Sequence, residues 1–241
     1  MSLEPALYLV PTPLGNREDI TLRALRVLTN VDIIAAEDTR SIRKLLSMYQ
    51  ITPRIIVSYH EQNELEQSKR LADAVADGKS VALCSEAGMP LVSDPGFRVV
   101  REVIARGLPI VPLPGANAGI TALVASGLPV HAFTFLGFPP HRRGRRTFFE
   151  RLASKEETVI LYESPHHLER TIAALIEVCG PERLCVLARE LTKLHESFYR
   201  GTLGSIAVEL GKTIPMRGEF VVLLQGRSTK AESRCSSRSK A

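Results

Sequence analysis

Through the first half of the chain, short apolar runs rich in β-branched residues alternate with stretches whose apolar residues recur at helical spacing. This alternation narrows the possible folds more than any other feature, because parallel strands need a crossover of a dozen or more residues, usually a helix. The runs at residues 6–10, 31–36, 54–58, 80–85 and 108–113 are the candidate strands. Between them Leu22, Leu25, Val27 and Leu28 mark one helix, Leu65, Leu71, Ala72 and Val75 a second, and Val99, Val100, Val103 and Ile104 a third. The expected unit is α/β, a mainly parallel sheet with helices on both faces.

After Gly127-Leu128-Pro129 the rhythm changes. Strands are expected at 133–138, 158–162, 184–188, 197–200 and 219–224 with few helices between them, which describes a mixed-sheet α+β domain. The expected organisation is therefore 1–128 for the first domain, 129–226 for the second, and a Ser/Arg/Lys-rich tail at 227–241 too poor in apolar residues to pack. Four of the five excess positive charges fall in that tail, so the body is nearly neutral and total charge says little about partners. The uncharged stretch at 107–130 has membrane-like length, but its prolines, glycines and Asn117 read as strand, turn and helix. Early prolines at Pro5, Pro11 and Pro13 interrupt any signal-length apolar run. Cys84, Cys179, Cys185 and Cys235 show no zinc-type spacing, and the first three lie in or beside apolar runs. A cytoplasmic protein with reduced thiols, no metal site and no membrane span is the expectation.

Ligands of an open α/β sheet bind beyond the carboxyl ends of its strands, so the loops there should carry any chemistry. The first is Pro11-Thr12-Pro13-Leu14-Gly15-Asn16, a stiff turn that is neither a dinucleotide fingerprint nor a nucleotide-triphosphate loop. Glu37-Asp38-Thr39-Arg40 follows the second strand and reads equally as a helix start capped by Asp38 or Thr39. The long loop from Ser85 to Gly96 has little charge and much backbone, suited to a ligand part apolar and part zwitterionic. Pro112-Leu113-Pro114-Gly115-Ala116-Asn117-Ala118 leads into a helix of small residues. Arg142-Arg143-Gly144-Arg145-Arg146 concentrates four guanidiniums, either for phosphate contacts or as a solvated loop.

Together these segments resemble the tetrapyrrole-methylase superfamily of S-adenosylmethionine enzymes, and within it the bacterial small-subunit ribosomal RNA cytidine-2'-O-methyltransferase I family. The resemblance runs from about Leu7 to Leu224 and is carried by VPTPLGN from Val10, AAEDTR from Ala35, SDPG from Ser93, YESPH from Tyr162, ARELTKLHE from Ala188 and RGE from Arg217. The family usually has Asp at Glu86, Thr at Met89, Ser at Asn117 and Arg at His167. The resemblance implies a two-domain tetrapyrrole-methylase-like fold, a homodimer, and a methyl donor held in a cleft between the domains.

Carried over residue by residue, donor contacts are implied for Pro13, Leu14 and Gly15, for Ser85 and Ala87, and for Asp94 and Phe97. Asn117, Ala118, Gly119, Tyr162 and Leu191 complete the implied set. Asp94 is the preferred acceptor for the donor's polar groups; the alternative is an N-cap for a helix beginning near Phe97. Methyl transfer to an alcohol requires alignment and removal of the hydroxyl proton. Glu37, Asp38 and Glu86 are the candidate bases, with Lys193 a candidate only if its pKa is depressed. For RNA, Arg142, Arg143, Arg145 and Arg146 offer phosphate contacts, Arg40, Arg43 and Lys44 form a second basic group, and Tyr59 and His60 are candidates to stack on a base. The rival readings are a small-molecule methyltransferase acting on a corrin-like ring, and a non-catalytic ribosome assembly factor.

Overall fold

The computed structural model describes residues 3–227. The tail at 228–241, with Cys235 and most of the expected unpacked segment, lies outside the described residues. The chain divides into two compact units between Asn117 and Ala118. Among the described residues no helix is long and apolar enough to cross a membrane.

In the first unit β1 (Leu7–Val10), α1 (Leu22–Asn30), β2 (Ile33–Ala36), α2 (Thr39–Met48), β3 (Ile55–Ser58), α3 (Glu64–Ala76), β4 (Val81–Cys84), α4 (Phe97–Ala105) and β5 (Ile110–Pro112) alternate without exception. The strands form one sheet in the order β3-β2-β4-β1-β5, every neighbouring pair parallel. Successive side chains of a strand point to opposite faces, and the core separates accordingly. Tyr8, Val10, Ile34, Ala36, Ala82 and Cys84 pack with Val27, Leu28, Ile42 and Leu46 of α1 and α2. Leu7, Ile33, Ala35, Val81 and Leu83 pack with Leu71, Val75, Val99 and Val103 of α3 and α4. A sheet covered on both faces explains why β2 and β4 are buried at every position. The helical stripes read from the sequence overran the buried faces, since Leu22, Leu65 and Ile104 are largely exposed.

The second unit contains α5 (Ala118–Ser126), β6 (Phe133–Gly137), α6 (Arg145–Ala153), β7 (Thr158–Glu163), α7 (Pro165–Cys179), β8 (Leu184–Arg189), β9 (Ser197–Thr202), α8 (Leu203–Glu209) and β10 (Phe220–Leu224). Its sheet has the order β6-β7-β10-β8-β9, parallel between β6 and β7 and antiparallel elsewhere. The division falls earlier than the rhythm change near residue 129 because α5 packs on this second sheet. Its Ala122 and Leu123 join Ile160, Val186, Ala188, Val221 and Leu223 in one cluster. On the opposite face α6, α7 and α8 contribute Phe149, Leu152, Leu168, Ile172, Leu175, Leu203 and Ile206. Cys84 and Cys185 are buried free thiols, and burial pushes Cys84 up to about 12.

Candidate functional site

In the first unit the loops leaving β1, β4 and β5 are fastened to one another. The Thr12 N–H donates to the Gly88 carbonyl at 3.0 Å, and the Gly88 N–H returns a bond to Thr12 at 2.9 Å. The buried Thr12 hydroxyl donates to the Ser85 carbonyl at 3.2 Å, and the Ser85 hydroxyl to the Gly88 carbonyl at 2.7 Å. Gly88 has a positive φ of 85°, and a β-carbon there would lie 3.1 Å from Leu14 Cδ2 and 3.4 Å from the Ala116 carbonyl oxygen. At Gly115 a β-carbon would come within 2.5 Å of Pro11 Cβ. These two glycines let three loops converge where a side chain would wedge them apart. Pro13 and Leu14 are half-buried there, while Gly15 and Ala87 are exposed.

The loop ahead of α4 is strained. Leu91 and Ser93 hold φ values of 72° and 68°, conformations that cost a non-glycine residue about 1–3 kcal/mol each and cluster at functional loops. The cap of α4 is Gly96 rather than Asp94, and it makes no side-chain cap bond. Glu64 of α3 supplies the acceptor instead, taking the Gly96 and Arg98 N–H groups at 3.4 and 3.3 Å. Asp94 is therefore released from the capping role that the sequence allowed. Burial first, then the charges of Glu37 and Glu86, push its carboxyl up to about 6. Phe97, the first residue of α4, is exposed, with the Arg101 guanidinium 5.7 Å from its ring centroid.

Adjacent strands β2 and β4 end in Glu37 and the Glu86 loop. Glu37 is exposed, yet desolvation by the protein beside it, then the charges of Glu86 and Glu61, raise its pKa. Asp38 behaves oppositely: it caps α2, accepting the Arg40 N–H at 2.7 Å, and that bond with the Arg40 side chain holds its pKa down. The helix-start reading of Glu37-Asp38-Thr39 is thus realised in Asp38, which is the weaker base. Glu86 is exposed; its carboxylate accepts from the Ser41 hydroxyl at 3.4 Å and its carbonyl from the Thr12 hydroxyl at 3.3 Å.

A groove of about 230 Å³ runs between the β1 loop and α2, lined by Thr12, Pro13, Gly15, Arg17, Asp38, Ser41, Ile42, Lys44, Leu45, Met48, Ser85 and Glu86. It gathers six residues singled out from the sequence and adds Arg17, Ser41 and Met48, which sequence reasoning missed. The signal was present: Ser41, Lys44, Leu45 and Met48 share one helical face at i, i+3, i+4 and i+7. Arg40 and Arg43 are exposed outside the groove lining. Tyr59 is removed from the base-stacking candidates because it is 1% exposed, bonded to Ser68 and Glu64 at 3.1 Å each. His60 is half-buried, with Nδ1 enclosed and unbonded.

In the second unit the arginine loop divides. Arg142 and Arg143 are exposed, whereas Arg145 is buried, donating to the Pro140 carbonyl at 3.1 Å and to Thr171 Oγ1 at 2.9 Å, with its guanidinium 4.8 Å from the Phe149 ring centroid. Thr171 in turn donates to buried Glu163 at 2.5 Å. Arg145 anchors the loop and is not free for phosphate. Arg146 is exposed and paired with Glu150 at 2.8 Å. The Tyr162 hydroxyl accepts the Gly119 N–H at 3.1 Å, tying β7 to the first turn of α5, and its ring packs edge-on against Phe135 and Phe138. Leu191 is a core residue at 6% exposure.

The ARELTKLHE and RGE segments hold each other. Buried Arg189 donates to the Arg217 and His195 carbonyls at 2.7 and 3.2 Å. Glu190 accepts the Glu219 N–H at 3.0 Å and lies so close to Gly218 that a β-carbon there would sit 2.6 Å from its carboxyl. Lys193 pairs with Glu190 at 3.1 Å and with Glu219 at 2.9 Å. Burial acts to lower the Lys193 pKa, but these two carboxylates outweigh it and the net shift is upward. The condition for Lys193 as a base is not met.

Residues 6–207 match the family described as Tetrapyrrole (Corrin/Porphyrin) Methylases. The chain is 45% identical over 94% of its length to the ribosomal RNA small subunit methyltransferase I of Halalkalibacterium halodurans, of which it covers 78%. It is 48% identical over 95% of its length to the protein of the same name from Mesorhizobium japonicum, again covering 78%. A cobalt precorrin-4 methyltransferase of known structure shares the fold at 18% identity, with a TM-score of 0.70 over 92% of this chain and 95% of that one. The chain belongs to the ribosomal RNA small subunit methyltransferase I family, within the tetrapyrrole methylases.

Proposed function

We infer that this enzyme transfers a methyl group from S-adenosylmethionine to the ribose 2'-hydroxyl of a cytidine in small-subunit ribosomal RNA. The observation that carries the reading is 45–48% identity, over nearly the whole chain, to curated relatives named for ribosomal RNA methylation. The first unit fits such a donor chemically. Glu37 and Asp94 face the negative field of Glu86 and have raised pKa values, an environment that favours a cationic ligand. The converging loops at Gly88 and Gly115 offer backbone groups and half-buried Pro13 and Leu14 for an adenosine.

S-adenosylmethionine supplies a methyl carbon already activated by its sulfonium. The chain's part is to align the two reactants and accept one proton. Glu37 is the proton acceptor: its raised pKa makes it a better base than Asp38, whose carboxylate is committed to the α2 cap. As the ribose oxygen forms its bond to the methyl carbon and the carbon–sulfur bond breaks, the hydroxyl proton passes to Glu37. Asp94 carries the charge that meets the donor's ammonium or ribose hydroxyls. Arg142 and Arg143, exposed and without ion pairs among the described residues, contact RNA phosphates. The enzyme acts in the cytoplasm, where its substrate resides, and as a homodimer, which sedimentation velocity tests.

The function is tested by incubating the full chain with labelled S-adenosylmethionine and unmodified small ribosomal subunits, then mapping the labelled nucleoside. A 2'-O-methylated cytidine is expected; label on a base, or no label despite donor binding, overturns the reading.

A further inference from the structure

The groove beside α2 shares Pro13, Gly15 and Ser85 with the residues assigned to the methyl donor, but its α2 side, with Ile42, Lys44, Leu45 and Met48, has no part in that assignment. At about 230 Å³ it lies below the roughly 300–1,000 Å³ of drug-sized ligand sites, which suits a single base. One wall is apolar, from Ile42, Leu45 and Met48, with Met48 47% exposed and so available to a flat ring. The lining also carries Glu86, whose carboxylate reaches Ser41 of α2. Of the two carboxylates in the lining, Asp38 already caps α2 and pairs with Arg40, so Glu86 is the one with acceptor capacity to spare. At the rim Arg17 and Lys44 form no ion pair among the described residues. The Tyr49 hydroxyl, just past the end of α2, donates to the Arg17 carbonyl and so fixes the backbone that carries one of these cations.

We propose that this groove receives the target cytosine and that Glu86 selects it over uracil by accepting a hydrogen bond from the exocyclic amine, with Arg17 and Lys44 on the flanking phosphates. The two pyrimidines differ at that edge: cytosine presents an amino donor, whereas uracil presents a carbonyl oxygen that a carboxylate repels. A carboxylate with few other partners discriminates once a bound base covers it, because the wrong base then sets an acceptor against it. The assignment rests on the RNA-methyltransferase reading, and it makes Glu86 a specificity residue rather than the base for the hydroxyl proton.

The test uses small subunits reconstituted with cytidine or uridine at the mapped position, in single-turnover methyl transfer at saturating donor. Wild type should prefer cytidine by roughly ten- to a hundredfold. Glu86→Gln, whose amide can serve either base, should bring the ratio to within a few-fold while still methylating, and Glu86→Asp should restore the preference. An unchanged ratio in Glu86→Gln overturns the proposal, as does equal loss on both substrates, which would make Glu86 part of the chemistry. Wild type that methylates both equally overturns this inference alone. Wild type that methylates neither removes the function on which it stands.

Discussion

Two clusters of charged residues, one in each unit, are treated in opposite ways. In the second unit Arg145, Glu163, Arg189, Glu190 and Lys193 all have hydrogen-bonded partners, and the first three are buried. In the first unit Glu37 and Asp94 lie at the carboxyl edge of the sheet, where burial first and then the charge of Glu86 raise the cost of ionising each of them. Satisfied charges of the first kind hold a scaffold; uncompensated charges of the second kind wait for a cation. Family-marking segments therefore fall into two physical classes: ARELTKLHE and RGE bond to each other, whereas the loops after β2 and β4 carry the carboxylates that the proposed function draws on.

Substitutions should break this contrast in a definite order of size. Arg189→Ala strips two backbone carbonyls of their donor and should cost about 2–4 kcal/mol in urea denaturation. An Arg189→Ala chain of unchanged stability would remove the scaffold role. Reversing charge at both Arg142 and Arg143 should weaken RNA binding at least tenfold and reduce its salt slope by about one per lost phosphate contact, with donor affinity intact. Arg145→Lys should instead lower the melting temperature, because the buried fork to Pro140 and Thr171 is lost.

Asp94→Asn should shift stability the other way. The folded pKa of about 6 lies above the unfolded value, so the folded state keeps a proton that the unfolded chain has released. Stability is highest with Asp94 protonated and falls as pH rises through about 6. The neutral amide should therefore stabilise the chain at neutral pH by on the order of 1 kcal/mol after solvent screening. The smallest effect belongs to Lys193→Met, which loses two partly exposed pairs worth about 1 kcal/mol or less and leaves the pH profile of turnover unchanged.

Much of the fold was legible in the chain itself. All ten strands lie within a residue or two of the apolar runs, because β-branched residues bounded by Gly, Pro and Asn leave few alternatives. The unit division was harder to read: α5 is apolar nearly all round, and nothing in such a helix says which sheet it covers. Within Arg142-Arg143-Gly144-Arg145-Arg146 the four arginines look alike, yet Gly144 at φ 77° turns the chain so that only Arg145 points inward. Asp94 looked like a cap because its true competitor, Glu64, stands thirty residues away in sequence and reaches α4 only through tertiary packing.

The central claim is that Asp94, at the edge of the first sheet, is held for a cationic methyl donor. Calorimetric titration of S-adenosylmethionine into wild type and Asp94→Asn between about pH 5 and 8 tests it most directly. Wild-type affinity should fall as pH drops through about 6, where Asp94 takes up its proton, and the Asn variant should bind weakly with no such inflection. Equal affinity in both proteins across the range would contradict the account.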